Sequence, residues 1–402
     1  MKLLKSKNVY LDYQLVPASV LINNEKIVDI LPYDYQAEEI ETFDLKDNYL
    51  TPGIIDLHNH GFAGWAFTSV LDQDDLILFS KRLASLGITS LLATTSFSGY
   101  QTIVDNYNHP DLKTTILGIH AEGPFLNDKQ PGAANPHYGF PKPDLKHLEK
   151  MYQASHGLLK YLTMAVELEG TKSLLEFANA HNILVALGHS EASYQDVANN
   201  HQYLRAFTHV GNAMKGINHR AVGALGAALL MDDLYVEIIG DVLHLSKEML
   251  EIIYRMKPLD KMVLVSDSTA LSGLPAGKYN FPNNEVTITE EGLVVNQVGR
   301  LGGSSFPVLT HLKLLHEKLD WPLEELFAMI SYNPARLINC FNEIGSIEKN
   351  KFANLIVLDQ DLDLLKTFHR GELVYKQGQD LILTNPKLPK LINNPELLNY
   401  YK

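Results

Sequence analysis

The stretch Gly53-Ile54-Ile55-Asp56-Leu57-His58-Asn59-His60 decides the fold of this chain. An apolar run of strand length leads directly into two histidines that are spaced i, i+2. Because residues i and i+2 of an extended strand share one face, His58 and His60 are predicted to point the same way and to reach one metal ion. The stretch therefore predicts a buried strand with a metal site at its carboxyl end.

Similar apolar runs recur along the middle of the chain, at residues 88–94, 114–120, 158–166, 183–188, 205–210, 235–243 and 261–266. Helical patterns at 74–86, 144–155 and 171–181 lie between them. Eight such strands predict an α/β fold, a (β/α)8 TIM-like barrel over residues 52–345. A doubly wound open sheet is the alternative, although it normally carries a Gly-rich phosphate turn where this chain has residues 58–64. Alternating β-type residues within 278–300 predict an inserted hairpin.

Both ends of the chain are rich in strand patterns and lack a helical period. The predicted strands are 20–22, 26–31, 345–347, 353–359 and 370–375. We therefore predict a discontinuous small β-sandwich domain formed by residues 1–51 and 346–385. Residues 386–402, rich in Pro, Asn, Leu and Lys, are predicted to form a C-terminal tail.

Composition narrows the function classes. The net charge is −13 and the Lys and Arg residues form no basic stripe, which argues against nucleic acid as a partner. Cys340 is the single cysteine, so a reducing compartment is expected. The first residues do not resemble a signal peptide, and no apolar run reaches 18 residues. We expect a cytoplasmic protein that does not bind membranes.

Imidazoles and carboxylates follow six of the predicted strands. The set comprises His58 and His60, Glu122, His189, His209, His244 with Asp241, and Asp267. Catalytic side chains of such barrels lie at the carboxyl ends of the strands, and this donor chemistry suits Zn, Fe, Ni or Mn. Asp267 can then take a proton from water and later give one to a leaving amine.

Each of these residues also has a purely structural explanation. A lone strand-end histidine is usually a surface or hydrogen-bonded residue, Glu122 can cap a helix, and Asp267 can cap the next turn. Six suitable residues at six strand ends nevertheless favour a metal site. Eight other histidines are predicted to be ordinary surface residues: His109, His147, His156, His181, His201, His311, His316 and His369.

From about residue 15 to 380, the chain resembles the amidohydrolase superfamily and, within it, the N-acetylglucosamine-6-phosphate deacetylases. The superfamily features are His58-Asn59-His60 and the closing Ala353-Asn354-Leu355-Ile356-Val357-Leu358-Asp359. The more specific motifs are Glu122-Gly123-Pro124-Phe125, His189-Ser190-Glu191-Ala192, Asn212-Ala213-Met214 and Leu301-Gly302-Gly303-Ser304-Ser305.

The resemblance implies one or two divalent metal ions per subunit. Glu122, His189 and His209 would bind the principal ion, and Asp267 would be the general base and acid. His58 and His60 would hold an optional second ion that shares Glu122. The fourth strand does not end in lysine, so the carboxylated-lysine bridge of dihydroorotase- and urease-like members is not expected.

The resemblance also implies substrate contacts. Asn212 and Ala213 match the phosphate-binding segment, and His244 matches a substrate-binding histidine. Arg220 matches an arginine that a neighbouring subunit lends to the phosphate, which implies a homodimer.

Two positions depart from the family pattern. Ala134 stands where a substrate-orienting histidine is expected, and His137 lies three residues further on as a candidate replacement. Gly211 replaces an aromatic residue beside Asn212. Both departures concern the substrate side of the site rather than the metal ligands.

The expected activity is deacetylation of N-acetylglucosamine 6-phosphate to glucosamine 6-phosphate and acetate. The departures keep open a second reading, in which the substrate is N-acetylgalactosamine 6-phosphate or another N-acyl compound. A non-catalytic relative that kept the fold is the remote alternative.

Overall fold

A computed structural model describes residues 1–36, 39–68, 72–133, 139–281 and 284–388. The strands are β1 Lys2–Leu11, β2 Gln14–Asn23, β3 Lys26–Pro32, β4 Glu41–Pro52, β5 Ile54–Asn59, β6 Gly61–Phe62, β7 Trp65–Ala66, β8 Ile88–Thr94, β9 Thr115–Glu122, β10 Leu159–Met164, β11 Leu184–Leu187, β12 Leu204–Phe207, β13 Tyr235–Ile239, β14 Met262–Val265, β15 Gly277–Phe281, β16 Asn284–Ile288, β17 Leu293–Asn296, β18 Leu301–Ser304, β19 Leu355–Leu358, β20 Leu364–His369 and β21 Glu372–Lys376.

The helices follow the strands of the middle region. They are α1 Gln73–Ala84, α2 Tyr100–Asn106, α3 Leu145–Ala154, α4 Thr171–Ala180, α5 Tyr194–Asn200, α6 Gly223–Leu230, α7 Lys247–Met256, α8 Val308–Leu319, α9 Leu323–Ile330 and α10 Tyr332–Leu337. Helix α1 begins with a capping box in which Asp72 and Asp75 satisfy each other's backbone N–H groups. No helix among the described residues is long and apolar enough to cross a membrane.

The predicted barrel is confirmed. Its eight strands run in sequence order, β5-β8-β9-β10-β11-β12-β13-β14, and the hydrogen-bonded neighbours are parallel. All eight correspond to the predicted apolar runs, because strands covered on both faces need apolar residues at nearly every position. The burial of β5, β8 and β13 is complete along their whole lengths.

The first and last barrel strands meet at their carboxyl ends. The Asp267 N–H donates to the His58 carbonyl over 2.9 Å, and the His60 N–H donates to the Ser268 carbonyl over 2.8 Å. Ser268 also forms a bridge with Ser304 at the end of β18. The closure of the barrel therefore brings Asp267 next to the two histidines that follow β5.

The predicted insertion is larger than a hairpin. Strands β15–β18 form a four-stranded antiparallel sheet with its own small apolar core, and β18 leads back to the barrel rim. The alternating residues of 286–295 were visible in the sequence. The short strand β18 was missed because Leu301-Gly302-Gly303-Ser304 has no alternation.

The chain ends form a separate β structure, as predicted. It is a seven-stranded sheet in the order β21-β20-β19-β4-β1-β2-β3, antiparallel except for the β1–β4 pair. The sheet curves until β3 meets the segment before β19, where the Ile27 N–H donates to the Lys351 carbonyl over 2.9 Å. The predicted strand at 345–347 is wrong because residues 345–346 form a bend, and strands β1, β4 and β20 were not among the predicted strands. The exact domain boundaries stay a prediction.

Two histidines that were predicted to lie on the surface are buried. His311 on α8 is 0% exposed, and its Nδ1 lies 3.1 Å from the Val265 carbonyl oxygen. His369 on β20 is 8% exposed, and its Nε2 lies 2.8 Å from Thr115 Oγ1. Both belong to elements that pack against the barrel, which an isolated histidine in a sequence does not reveal.

The described part of the tail packs on the start of the barrel. The Asn385 N–H donates to the Ala63 carbonyl over 2.8 Å, and Lys387 Nζ lies 2.6 Å from Asp75 on α1. Residues 389–402 lie outside the described residues.

Candidate metal centre

Glu122, His189 and His209 converge on one point at the carboxyl end of the barrel. Glu122 Oε1 lies 3.1 Å from His189 Nε2 and 3.0 Å from His209 Nε2. The two Nε2 atoms are 3.1 Å apart. Three donor atoms that approach one another this closely are suited to hold an ion between them. We call Glu122, His189 and His209 the first donor set.

His58, His60 and Asp267 form a second donor set beside the first. His58 Nε2 lies 3.1 Å from His60 Nε2 and 3.4 Å from Asp267 Oδ1. Glu122 connects the sets, because its Oε2 lies 3.2 Å from His60 Nε2 while its Oε1 belongs to the first set. The geometry is thus compatible with the prediction that Glu122 binds ions at both donor sets.

The outer ring nitrogens of two histidines fix which nitrogen faces the centre. His189 Nδ1 lies 2.8 Å from the Gln130 carbonyl oxygen, which can only accept a hydrogen bond. His58 Nδ1 lies 3.2 Å from Glu237 Oε2. In the neutral rings both Nδ1 atoms therefore carry the proton, and both Nε2 atoms present a lone pair to the centre. The donor sets accordingly fit a divalent cation.

Three of the converging side chains leave the strands through left-handed backbone. His189, His209 and Asp267 each lie two residues after a barrel strand, with φ of 48°, 30° and 47°. Such conformations cost about 1–3 kcal/mol each for residues other than glycine and persist only where the surroundings hold them. The same turn at three strand ends aims three side chains at one place, which is typical of a functional site.

Electrostatics couple the two donor sets. Burial disfavours the charged form of His58, but nearby Asp267 and Glu122 outweigh it and raise the His58 pKa well above its usual value. Burial likewise opposes ionisation of Asp267, yet His58 and the hydrogen bond from His60 lower its pKa to about 2. Asp267 is therefore a carboxylate at neutral pH, as a general base must be.

The donor sets lie in the wall of a cavity of about 600 Å³. Of the predicted site residues, those that line it are His60, Glu122, His189, His209, Asn212, Ala213, His244 and Asp267. His58 lies behind His60 and is fully buried. Lys129 and Arg300 are the Lys and Arg side chains among the described cavity residues.

His244 is held by a chain of buried polar groups. Its Nδ1 lies 2.7 Å from Asp241 Oδ2, which also accepts a 2.8 Å hydrogen bond from Ser304 Oγ. His311 Nε2 lies 3.1 Å from the same Ser304 Oγ. His244 Nε2 lacks a hydrogen-bond partner among the described residues, so it remains available to a ligand in the cavity. Burial lowers the His244 pKa, but Asp241 outweighs burial and raises it.

Arg220 does not reach the cavity of its own subunit. It is exposed in the loop before α6, where its backbone N–H donates to Asn218 Oδ1 over 3.0 Å. Ala134 and His137 lie outside the described residues. Gly211 has φ of 86°, and a Cβ there would lie 2.8 Å from Leu245 Cδ2, so an aromatic residue would need Leu245 to move.

Sequence reasoning missed three groups of the site. Glu237 supports His58, and a carboxylate flanked by the apolar residues Val236 and Ile238 was a visible signal. The Gln130 group that contacts His189 is a backbone carbonyl, which no residue type reveals. Arg300 reaches the cavity only because the inserted sheet folds back over the rim.

Residues 49–384 match the sequence model of the Amidohydrolase family, and the chain belongs to this family. The chain is 32% identical to N-acetylglucosamine-6-phosphate deacetylase of Vibrio furnissii, over 81% of this chain and 83% of that relative. It is 28% identical to N-acetylgalactosamine-6-phosphate deacetylase of Escherichia coli O157:H7, over 81% and 87%.

The fold agrees with that of a solved relative. The crystal structure of N-acetylglucosamine-6-phosphate deacetylase from Pasteurella multocida matches with a TM-score of 0.84 and 28% identity, covering 92% of this chain and 99% of that one. The family resemblance predicted from the motifs is confirmed.

Proposed function

We propose that this protein hydrolyses the acetamide of N-acetylglucosamine 6-phosphate to give glucosamine 6-phosphate and acetate. The observation that carries the proposal is the convergence of Glu122, His189 and His209 beside the ionised Asp267 in one cavity. One relative of that name shares 32% identity with this chain, and the solved structure of another matches 92% of the chain with a TM-score of 0.84.

The first donor set would hold the principal divalent ion, and His58 with His60 would hold a second. Such an ion supplies Lewis acidity and lowers the pKa of water to about 7. Imidazole and carboxylate donors accept Zn, Fe, Mn or Ni, so the donor chemistry supports a divalent metal without choosing among them.

Asp267 moves the protons of the reaction. As a carboxylate it accepts a proton from the attacking water while the new C–O bond forms at the acetamide carbon. It then delivers that proton to the sugar nitrogen as the C–N bond breaks, which releases acetate and the amine. It lies two residues after β14, and its Oδ1 is 3.4 Å from His58 Nε2 and 3.5 Å from His60 Nε2, which supports this role.

The rest of the cavity would bind the sugar phosphate. His244 Nε2 and the Asn212–Ala213 segment line the cavity and present polar groups to it. Arg300 and Lys129 add positive charge in the same wall. Guanidinium groups suit phosphate because two parallel N–H groups can bond its oxygens together.

We further propose a cytoplasmic homodimer in which Arg220 of one subunit reaches the cavity of its neighbour. Arg220 is exposed and does not line the cavity of its own subunit, which is compatible with this role. The single cysteine supports a reducing compartment.

N-acetylgalactosamine 6-phosphate is the second candidate substrate. Gly211, next to the cavity residue Asn212, stands where the family resemblance leads us to expect an aromatic residue, and one relative at 28% identity is named for the galacto substrate. These observations concern sugar recognition and leave the amide chemistry unchanged.

Acetate release from a panel of N-acetyl hexosamines tests both candidates. The purified protein is assayed with the gluco and galacto 6-phosphates and with unphosphorylated N-acetylglucosamine, and metal content is measured on the same sample. We expect the gluco 6-phosphate to give the highest kcat/KM. A preference for the galacto epimer would transfer the proposal to that substrate, and absence of acetate with metal present would reject both.

A further inference from the structure

A buried carboxylate lies beneath the two donor sets. Glu237 is on β13 and is 0% exposed. Its neighbours on the same face of the strand, Tyr235 and Ile239, belong to an apolar core cluster. A carboxylate in such surroundings is destabilising unless it is paired and hydrogen-bonded. Its partners therefore indicate why the fold keeps it there.

One oxygen of Glu237 contacts a member of each donor set. Glu237 Oε2 lies 3.2 Å from His58 Nδ1. The same oxygen accepts a hydrogen bond from the His209 backbone N–H over 3.3 Å. Glu237 Oε1 has no hydrogen-bond partner among the described residues. Both hydrogen bonds of Glu237 Oε2 thus go to candidate ligands, while the carboxylate also acts on the buried Tyr161 hydroxyl, whose pKa is raised by burial and by Glu237.

Each contact fixes a different feature of the centre. Because Glu237 accepts a hydrogen bond from His58 Nδ1, the proton stays on that nitrogen. The lone pair of His58 Nε2 then faces His60, whose Nε2 is 3.1 Å away. The contact with His209 holds a residue whose φ is 30°, where the backbone needs external support. Loss of Glu237 would free both the ring of His58 and the turn that aims His209.

We propose that Glu237 is a positioning residue of the metal centre, on which ion binding at both donor sets depends. This inference rests on the proposed metal centre and goes beyond it, because Glu237 touches neither the cavity nor the ion position itself. Glu237 supports the second donor set through the side-chain ring of His58, and it supports the first donor set only through the backbone of His209. Substitution of Glu237 should therefore lower the affinity for the second ion more than the affinity for the principal ion.

The test compares Glu237→Gln and Glu237→Ala with the parent protein. Zinc affinity and stoichiometry are measured by equilibrium dialysis in chelator-buffered solutions, without turnover. Substitution of residues that orient metal ligands typically lowers affinity by about 10–100-fold. We expect losses in that range for Glu237→Ala and smaller ones for Glu237→Gln, which keeps an acceptor of the same size.

Ile239→Val is the matched control, because it alters the same face of β13 without touching a ligand. Absorption spectra of the cobalt-loaded proteins add a readout that loss of stability alone would not change. Altered spectra and weakened binding in the Glu237 variants, with Ile239→Val unchanged, support the proposal. If Glu237→Ala does not fold, Glu237→Gln carries the test.

Parental zinc affinity and an unchanged cobalt spectrum in the Glu237 variants would overturn the positioning role and leave the metal centre intact. Equal weakening in Ile239→Val would overturn it as well, since the effect would then follow packing. A parent protein that binds no metal would reject the metal centre itself, which is a distinguishable failure.

Discussion

The roles of single residues follow from what each one touches. Asp267 lies 3.4 Å and 3.5 Å from the Nε2 atoms of His58 and His60, and it belongs to the cavity wall. Its ionised state makes it a proton acceptor, whereas Glu122, His189 and His209 form a closed set without it. In the proposed mechanism, proton transfer and binding of the principal ion are therefore separable by substitution.

Asp267→Asn should lower kcat by at least about 10²-fold, since a positioned general base contributes roughly 10²–10⁴-fold. Bound metal per subunit should remain at the parental value for the principal ion. Steady-state assays and elemental analysis measure the two quantities, with the exposed Asp105→Asn as the control. An Asp267→Asn variant that keeps parental activity would remove Asp267 from the mechanism.

Arg300 is a further test at this scale. Its Nη1 is buried without a hydrogen-bond partner among the described residues, and the side chain lines the cavity. Arg300→Gln should raise KM for the 6-phosphate substrate by at least about tenfold, because a charged hydrogen bond contributes roughly 1.5–3 kcal/mol. Hydrolysis of unphosphorylated N-acetylglucosamine should change little. Equal losses with both substrates would contradict an anion-binding role.

At the scale of elements, strand ends and connecting sheets place the chemistry. Strand β18 lies along the carboxyl end of β14, where the Ser304 N–H donates to the Asp267 carbonyl over 3.0 Å. Gly303 adopts φ of 72°, and a Cβ there would lie 2.4 Å from that same carbonyl oxygen. The approach of the inserted sheet to Asp267 thus requires glycine.

Gly303→Ala should displace Asp267 and lower kcat more than tenfold. Gly299→Ala is its matched control, because Gly299 has φ of 75° and nothing lies within 4 Å of its added Cβ. Both variants place an alanine in left-handed backbone, which costs free energy. Only the Cβ of Gly303→Ala would also clash with the backbone of Asp267. Equal activities in the two variants would show that contact between β18 and Asp267 does not position the base.

His369 joins the terminal sheet to the barrel and makes stability depend on pH. Burial, with smaller contributions from Arg370 and Lys113, lowers its pKa from 6.5 to about 4. The folded form therefore holds His369 neutral, and unfolding takes up a proton below pH 6.5. Its contribution to stability is complete above pH 6.5 and is lost as the pH falls toward 4, by about 3 kcal/mol in all.

His369→Gln should flatten this dependence. At pH 8 the free energy of unfolding of the variant should be about 1 kcal/mol lower than that of the parent, because its hydrogen bond to Thr115 is weaker. Between pH 6.5 and 4.5 the free energy of unfolding should fall less in the variant than in the parent. Urea unfolding at several pH values measures both effects, with exposed His219→Gln as the control. Parallel pH profiles for the parent and His369→Gln would contradict the assignment.

A feature of this structure was predictable from the sequence where a local residue pattern determines it, and not where contacts between distant segments determine it. The eight barrel strands were predictable because a strand that is buried on both faces requires a continuous apolar run, as in β5 and β8. The donor residues could be proposed because catalytic side chains of such barrels lie at the carboxyl ends of the strands. Strand β18 and Arg300 were not, since a Gly-Gly segment and a lone arginine acquire their places only through tertiary packing.

At the scale of the whole molecule, barrel closure and catalysis depend on the same residues. The first and last strands join through the backbones of His58, His60, Asp267 and Ser268, and three of these also supply donors. A bound ion would therefore connect strands across the barrel. Ligands that bind only the folded state stabilise it by mass action.

Removal of metal with a chelator should consequently lower Tm by several degrees, since an ion at about a thousand times its Kd contributes about 4 kcal/mol and about 1 kcal/mol shifts Tm by roughly 1 °C in a chain of 402 residues. Addition of zinc should restore it. Differential scanning calorimetry of the parent and of a His189→Ala variant measures the effect, and the variant should show less than half of the parental shift. An identical shift in both would place the stabilising ion elsewhere.

Metal titration of the chelator-treated protein, with acetate release from N-acetylglucosamine 6-phosphate measured at each addition, tests the central claim most directly. Activity should be negligible without metal, rise in proportion to added ion, and fail to rise in a Glu122→Gln variant. Full turnover by the metal-free parent, or by Glu122→Gln, would contradict the account of this site.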